Sequence, residues 1–328
     1  MAIWGWRCGW PARLADGAPF HSDLADGPPG GTAFWLTADD GVRLRCGWWP
    51  GGTRGTIVLF PGRSEYVEKY GRTARAFHDA GFAVAAIDWR GQGLADRSAP
   101  DIGDVAHFDA YQRDVTAYLD ALLAIGAPHP WVLVGHSMGG CIGLRALQAG
   151  LPFAAAIFTA PMWAIEVPRA LRRVARLVAR GACLSGWADR YVPGTGPQNY
   201  TLQHGFEGNK WTSDPEAWAW LGDQLRARPE LNTGGPSWRW LAAALDEIVR
   251  VTRAPMPAIP ALAWLGGHET IIEADAVQRL MARWPGGRIE EIARGRHELL
   301  MEAAPIRQRI VAESVAFVAA ATGHADGH

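Results

Sequence analysis

Ser137 stands in the run Gly135-His136-Ser137-Met138-Gly139, a hydroxyl set between glycines. The five residues before it are strand-like, and the ten residues after it have a helical pattern. In that context G-x-S-x-G reads as a nucleophile elbow, a sharp strained turn that lifts a serine above a sheet. Glycines are required because a Cβ there would strike the neighbouring strand and helix. The Met138 N–H lies at a helix N-terminus, where partial positive charge favours an oxyanion. The chemistry is attack on a carbonyl carbon.

A serine attacks only when a base takes its proton. His297, in "IARGRHELLME", sits just past the last strand-like run. His78, His107, His129, His136, His204 and His268 are rivals, but only His297 joins a strand-end loop to the chain order Ser, acid, His. His136 is expected to point away from the site. The acid should follow the penultimate strand, and Glu269 comes four residues past Leu265. It would fix the imidazole tautomer and stabilise the imidazolium. Asp275 falls inside the next helix and Glu273 at its start, so Glu269 is the choice and another carboxylate the alternative. A second oxyanion donor is expected from Pro61-Gly62-Arg63-Ser64-Glu65-Tyr66, with the Arg63 backbone N–H the candidate. Glu65 reads as a buried anchor of that loop.

These residues need a sheet whose strand ends gather them. "AFWLTADDGVRLRCGWW" reads as a hairpin around Asp39-Asp40-Gly41. "TIVLF", "FAVAAID", "WVLVGHS", "AAAIFT" and "PALAWLGG" are short apolar strands, and "GRIEEIA" is a last one. Helical segments alternate with them, over 107–125 and 304–321 among others. That alternation predicts a parallel sheet covered on both faces. It breaks at about Pro161 and resumes after Pro257. The expected organisation is an irregular arm over 1–32, an α/β core over 33–161 and 257–328, and an inserted helical cap over 162–256.

The composition excludes several classes. Net charge is −1 over 328 residues, so no global field draws nucleic acid. Cys8, Cys46, Cys141 and Cys183 have no metal-type spacing and read as free thiols. No apolar run reaches the roughly 18 residues of a membrane span, and "MAIWGWRCGWPARLADG" lacks the clean apolar core of a signal peptide. A soluble cytoplasmic protein is expected. Asp88-Trp89-Arg90-Gly91-Gln92-Gly93 lacks the third glycine and the helix of a nucleotide loop, so a structural turn is expected there. No cofactor or metal is expected.

With these motifs in place, "LFPGRSEYVEKYGRTARAFHDAGFAVAAIDWRGQGLADR", "VLVGHSMGG", "YVPGTGP" and "GRHELLME" resemble the α/β-hydrolase fold. More narrowly they are similar to the bacterial lysophospholipase L2 and monoacylglycerol lipase group, also labelled serine aminopeptidase S33-like. The resemblance covers about 33–320. It implies a mostly parallel eight-stranded sheet with helices on both faces and an inserted cap. It also implies Ser137 as nucleophile, His297 as base, and Met138 and Arg63 as oxyanion donors. The first loop begins Pro61-Gly62 where the group usually has His-Gly, and the acid is commonly Asp.

The activity expected is hydrolysis of lipid-like carboxylic esters, a lysophospholipid or a monoacylglycerol, with an aminopeptidase or small-ester esterase as the alternative. Glu166, Asp189 and Glu207 would have to supply a peptidase's acidic patch. In "VPRALRRVARLVARG", Leu171, Val174 and Val178 share a face, with Arg172, Arg173, Arg176 and Arg180 mostly on others. That segment packs as a cap helix, with transient membrane-surface contact as the further option. Trp211, Trp218, Trp220, Trp238 and Trp240 are expected to build a core of the cap.

Overall fold

A computed structural model of the chain describes residues 15–99, 102–167 and 174–323. The calls on Cys8, Leu171, Arg172 and Arg173 lie outside the described residues. In chain order the early elements are β1 (Ala15–Gly17), α1 (Ser22–Ala25), β2 (Thr32–Thr37), β3 (Arg43–Trp49), β4 (Thr56–Phe60), α2 (Gly71–Asp79), β5 (Ala83–Asp88) and α3 (Asp109–Ala124). The middle of the chain forms β6 (Trp131–His136), α4 (Met138–Gln148) and β7 (Ala155–Thr159). There follow α5 (Ala175–Ala182), α6 (Tyr200–Gln203), α7 (Pro215–Ala227) and α8 (Trp238–Arg253). The chain then returns to the sheet with β8 (Ala261–Gly266), α9 (Ala274–Met281), β9 (Gly287–Ile292) and α10 (Ala304–Thr322).

The sheet runs β1-β2-β3-β5-β4-β6-β7-β8-β9. Strands β4 to β9 are parallel, and the β2–β3 hairpin is antiparallel to its neighbours. The eight strands expected are β2 to β9. A ninth, β1, comes from the arm and pairs antiparallel with β2. Part of the arm expected to be irregular is thus regular structure, joined to the sheet by backbone bonds that its Gly- and Pro-rich composition does not announce.

Strands β4, β5, β6, β7 and β8 are buried at every residue, as a sheet covered on both faces requires. Period-2 alternation sorts their side chains. Val58, Phe60, Leu133, Phe158 and Leu265 join one apolar cluster. Ile57, Leu59, Val132, Val134, Ile157 and Trp264 join the other. Edge strand β9 is exposed at Arg288, Ile289 and Glu291 and carries charge, which discourages pairing with another chain.

Among the described residues, 160–260 add no strand to the sheet. Helices α6, α7 and α8 start on side-chain caps, with Asn199, Asp214 and Ser237 accepting from Thr201, Glu216 and Trp240 amides. The tryptophans do not make one separate core. Trp240, with Ala243, Ala244 and Val251 of α8, packs into the main apolar cluster beside Phe108 and Tyr111. Trp220 lies on the other cluster and donates to Leu24 O at 3.2 Å. Only Trp211 and Trp218 group within the inserted segment, with Tyr200 and Phe206. An apolar helix face shows that something covers it, not what does.

The arm joins this packing. Gln224 also donates to Leu24 O, at 2.8 Å, and Arg228 to His21 Nδ1 at 3.0 Å. Asp26 pairs with Arg72 and Arg75 of α2.

Candidate active site

Parallel sheets gather ligand-binding loops at the carboxyl ends of their strands. Here the loops after β4, β6, β8 and β9 carry Arg63, Ser137, Glu269 and His297 respectively.

Ser137 has φ 47° and ψ −116°, a strained conformation for a non-glycine residue. The turn is held by Ser137 N donating to Thr159 O at 3.1 Å and by Met162 and Gly140 amides donating to Ser137 O at 2.9 Å. The glycines fit for the reason the motif implies. A Cβ on Gly139 would come 1.8 Å from Phe60 O, and one on Gly140 would come 2.6 Å from Pro161 Cβ. Met138 opens α4, and its amide and that of Arg63 find no acceptor among the described residues.

The loop after β4 is fixed from several sides. Glu65, 2% exposed, accepts from the Gly62 amide and from the Tyr70 hydroxyl, which bears out its reading as a loop anchor. The Asp88–Gly93 turn props the same loop, as a structural turn should. Trp89 donates to Pro61 O at 2.9 Å, and Gln92 accepts from the Ser64 amide. The Arg63 side chain turns into the inserted segment, donating to Gly234 O and Gly235 O at 2.7 and 2.8 Å and lying over Trp240. Burial lowers its pKa to about 10.

His297 Nδ1 lies 2.7 Å from Glu269 Oε2, with both side chains buried. The other carboxylate oxygen, Oε1, accepts from the Ile271 and Ile272 amides at 2.6 and 3.3 Å. Burial pushes the Glu269 carboxyl up, but the His297 imidazole and these amides outweigh it and hold it below the ordinary carboxylate range. An ionised carboxylate on Nδ1 leaves the proton there and frees Nε2 to accept. Gly266 and Gly267 allow the close approach of the two loops, since a Cβ on either would come within 2.5 Å of the Gly295 or Ala293 carbonyl oxygen.

The His297 ring is 5.0 Å, centroid to centroid, from the ring of His136, the residue before the serine. The His297 imidazole thus lies beside the residue that precedes Ser137. No hydrogen bond joins the Ser137 hydroxyl to His297 among the described residues, and such contacts commonly tighten only around a substrate.

His136 does not point away from the site; its ring forms the floor under His297. It is 2% exposed, with Nδ1 at 3.0 Å from Thr159 O and Nε2 at 3.3 Å from Glu298 Oε2 and 3.5 Å from Glu65 Oε1. Burial lowers its pKa, but Glu298 and Glu65 outweigh that and raise it above the ordinary value. Nε2 makes no hydrogen bond of good geometry, so the two carboxylates act on the ring by charge. Lys69 ties the carboxylates together, 2.6 Å from Glu65 and 2.8 Å from Glu298. Burial pushes Glu298 up, yet Lys69 and His136 outweigh it and hold it well below the ordinary range. Glu65, His136 and Glu298 bring ligand-type atoms within 4.8 Å of one another, but the Lys69 ammonium already serves both carboxylates. The residues that sequence reasoning missed here are Lys69, Glu298 and the role of His136. Glu298 follows His297 in "GRHELLME", and that adjacency was the signal.

The family model for "Serine aminopeptidase, S33" matches residues 51–304. A probable lysophospholipase L2 of Haemophilus influenzae is 28% identical over 260 residues, 79% of this chain and 82% of that one. Lysophospholipase L2 of Escherichia coli K12 is 30% identical over 212 residues, 58% of this chain and 56% of its own length. A soluble variant of monoglyceride lipase from Saccharomyces cerevisiae, solved with a substrate analogue, superimposes with a TM-score of 0.66 at 18% identity. That superposition covers 98% of this chain and 99% of that one. The sheet order, the elbow and these likenesses agree on an α/β-hydrolase fold. The chain belongs to the serine aminopeptidase S33 family of hydrolases.

Proposed function

We propose that the protein is a serine hydrolase of carboxylic esters acting on lipid-like monoesters, a lysophospholipid or a monoacylglycerol. The observation that carries the reading is the Glu269–His297 pair at 2.7 Å beside the strained Ser137 turn. His297 Nε2 takes the Ser137 proton as Oγ attacks the ester carbonyl. The Met138 and Arg63 amides hold the oxyanion, each worth about 10²–10³ in turnover. The carbon–oxygen bond to the alcohol then breaks, and the imidazolium returns its proton to that oxygen. Water repeats the sequence on the acyl-enzyme, releasing the fatty acid and restoring Ser137. Glu269 holds the imidazole in one tautomer throughout.

Residues 162–256 act as the cap over this rim, on a core of 33–161 and 257–328, with 1–32 as the arm. The names borne by the lysophospholipase and monoglyceride lipase relatives support the lipid substrate. An apolar patch supports transient contact with a lipid surface. Leu177, Leu184 and Trp187 are 67%, 90% and 49% exposed at α5 and the turn beyond it. The location proposed is the cytoplasm. Among the described residues no helix is long and apolar enough to cross a membrane.

Against the aminopeptidase alternative, Asp189, one of the three carboxylates it would use, is paired with Arg239. The test is Ser137→Ala against wild type on p-nitrophenyl butyrate, monooleoylglycerol, lysophosphatidylcholine and proline p-nitroanilide. Loss of lipid-ester turnover in the variant supports the proposal. Retained turnover refutes the nucleophile, and a wild-type preference for the amide refutes the substrate class.

A further inference from the structure

We infer that Glu302 is a positioning residue for the imidazole of His297, acting by fastening the base loop to the 209–213 turn of the inserted segment. The inference rests on His297 being the general base.

Strand β9 ends at Ile292, and His297 comes five residues later in a loop without ladder partners. The loop after β8 holds its start, with His268 N donating to Gly295 O at 3.0 Å, and the inserted segment holds the part that carries His297. The His297 amide donates to Lys210 O at 3.3 Å, and the Glu298 amide to Trp211 O at 2.7 Å. Arg296 Nη1 donates to Asn209 O at 2.9 Å and Thr212 O at 3.0 Å. The receiving turn is itself pre-shaped, because Asn209 Oδ1 accepts from the Trp211 and Thr212 amides at 2.8 and 3.0 Å.

Glu302, fully buried, joins the two segments with one oxygen each. Oε1 accepts from the Arg296 amide at 2.8 Å. Oε2 accepts from the Ser213 amide at 2.9 Å and its hydroxyl at 2.7 Å, with the Thr212 hydroxyl at 3.2 Å. Hydrogen bonds to a carboxylate are roughly twice as strong as neutral ones, and burial shields these from water. Glu302 does not touch the imidazole. It sets where the backbone carrying that imidazole lies, while Glu269 sets how the ring is turned. Glu302 is thus a side chain whose two oxygens each take a different piece of chain, beside the backbone and Arg296 bonds that also join them.

The substitution Glu302→Gln preserves shape but turns one acceptor into a donor, facing either the Arg296 amide or the Ser213 amide. Displacement of a catalytic group by about 1 Å costs ~10²-fold. The experiment measures kcat and KM on p-nitrophenyl butyrate, the rate of Ser137 labelling by a fluorophosphonate, and the melting temperature. Ser137→Ala and His297→Ala set the floor. The expected result is a folded E302Q whose kcat and labelling rate fall by about 10²-fold, with KM within about twofold. Folded E302Q with kcat and labelling within threefold of wild type overturns the inference, even if it melts earlier. If E302Q does not fold, Ser213→Ala decides, because it removes the 2.7 Å hydroxyl donor to Glu302 and leaves Glu302 in place. A fall in kcat of about tenfold at unchanged KM supports the inference, and wild-type kcat overturns it. Should His297→Ala keep full activity, the functional reading itself fails, an outcome separate from a dead His297→Ala beside an unaffected E302Q.

Discussion

Gly139→Ala adds one methyl group and tests whether the loop after β4 and the elbow form one device. The new Cβ would lie 1.8 Å from Phe60 O, 2.4 Å from Phe60 C and 2.6 Å from Pro61 O. All three are backbone atoms, so no side chain can swing aside. Ordinary contact begins at about 3.4 Å, so some 1.6 Å of separation must be found between α4 and the end of β4. That movement separates the Arg63 amide from the Met138 amide, the two proposed oxyanion donors. Losing one donor costs ~10²–10³ in turnover, and overpacking costs about 1–3 kcal/mol in stability. The expected G139A protein folds, melts a few degrees lower and hydrolyses p-nitrophenyl butyrate at least ~10²-fold more slowly. Gly150→Ala is the companion variant. It has open space around its Cβ, though its φ of 80° adds local strain remote from the site. It should cost stability without touching kcat. If G139A stays within threefold of wild type in kcat, the coupling of the two loops is wrong.

Glu269→Gln should lower kcat by about 10²–10⁴ while the protein remains folded, because an amide no longer enforces the imidazole tautomer; near-wild-type turnover would transfer the role to another carboxylate. Glu269 and Glu298 are both held below the ordinary carboxylate value of 4.5, so the stability they contribute is complete above that pH and lost as pH falls through their lowered values. Urea midpoints of the wild type should drop between pH 6 and 3.5. In Glu298→Gln the midpoint at pH 6 should be lower but its further drop smaller, and an equal drop in both proteins would contradict the assignment. His136 acts in the opposite sense: its raised value gives stability present below 6.5 that disappears as pH rises through the folded value. Leu184→Asp should weaken sedimentation with phosphatidylglycerol vesicles while leaving hydrolysis of soluble esters unchanged; undiminished vesicle binding would remove that patch from consideration.

Local pattern made some of this legible and distance hid the rest. Strands β4 to β8 are short, mostly apolar runs, and such runs need no partner to be recognised. Ser137 was readable because its flanking glycines report a backbone constraint within a few residues. Glu269 and His297 followed from chain order at strand ends. Lys69 gave no such signal: nothing in "YVEKYG" marks it, and only the meeting of segments near 65, 136 and 298 buries it. Glu302 is hidden for the same reason, since its partners Thr212 and Ser213 are some 90 positions away. The tryptophans of α7 and α8 were expected to build a core of the cap, but Trp220 and Trp240 found their cover on the sheet's two clusters.

Leu24 O receives both Trp220 and Gln224 of α7, while Asp26, two residues on, binds α2. A stretch near the start of the chain thereby sews an excursion made two hundred residues later onto the body of the molecule. Exchanging that excursion for the equivalent piece of a relative, as one might to alter selectivity, would cut the stitches unless positions 21–26 travelled with it. The portable unit is a discontinuous one.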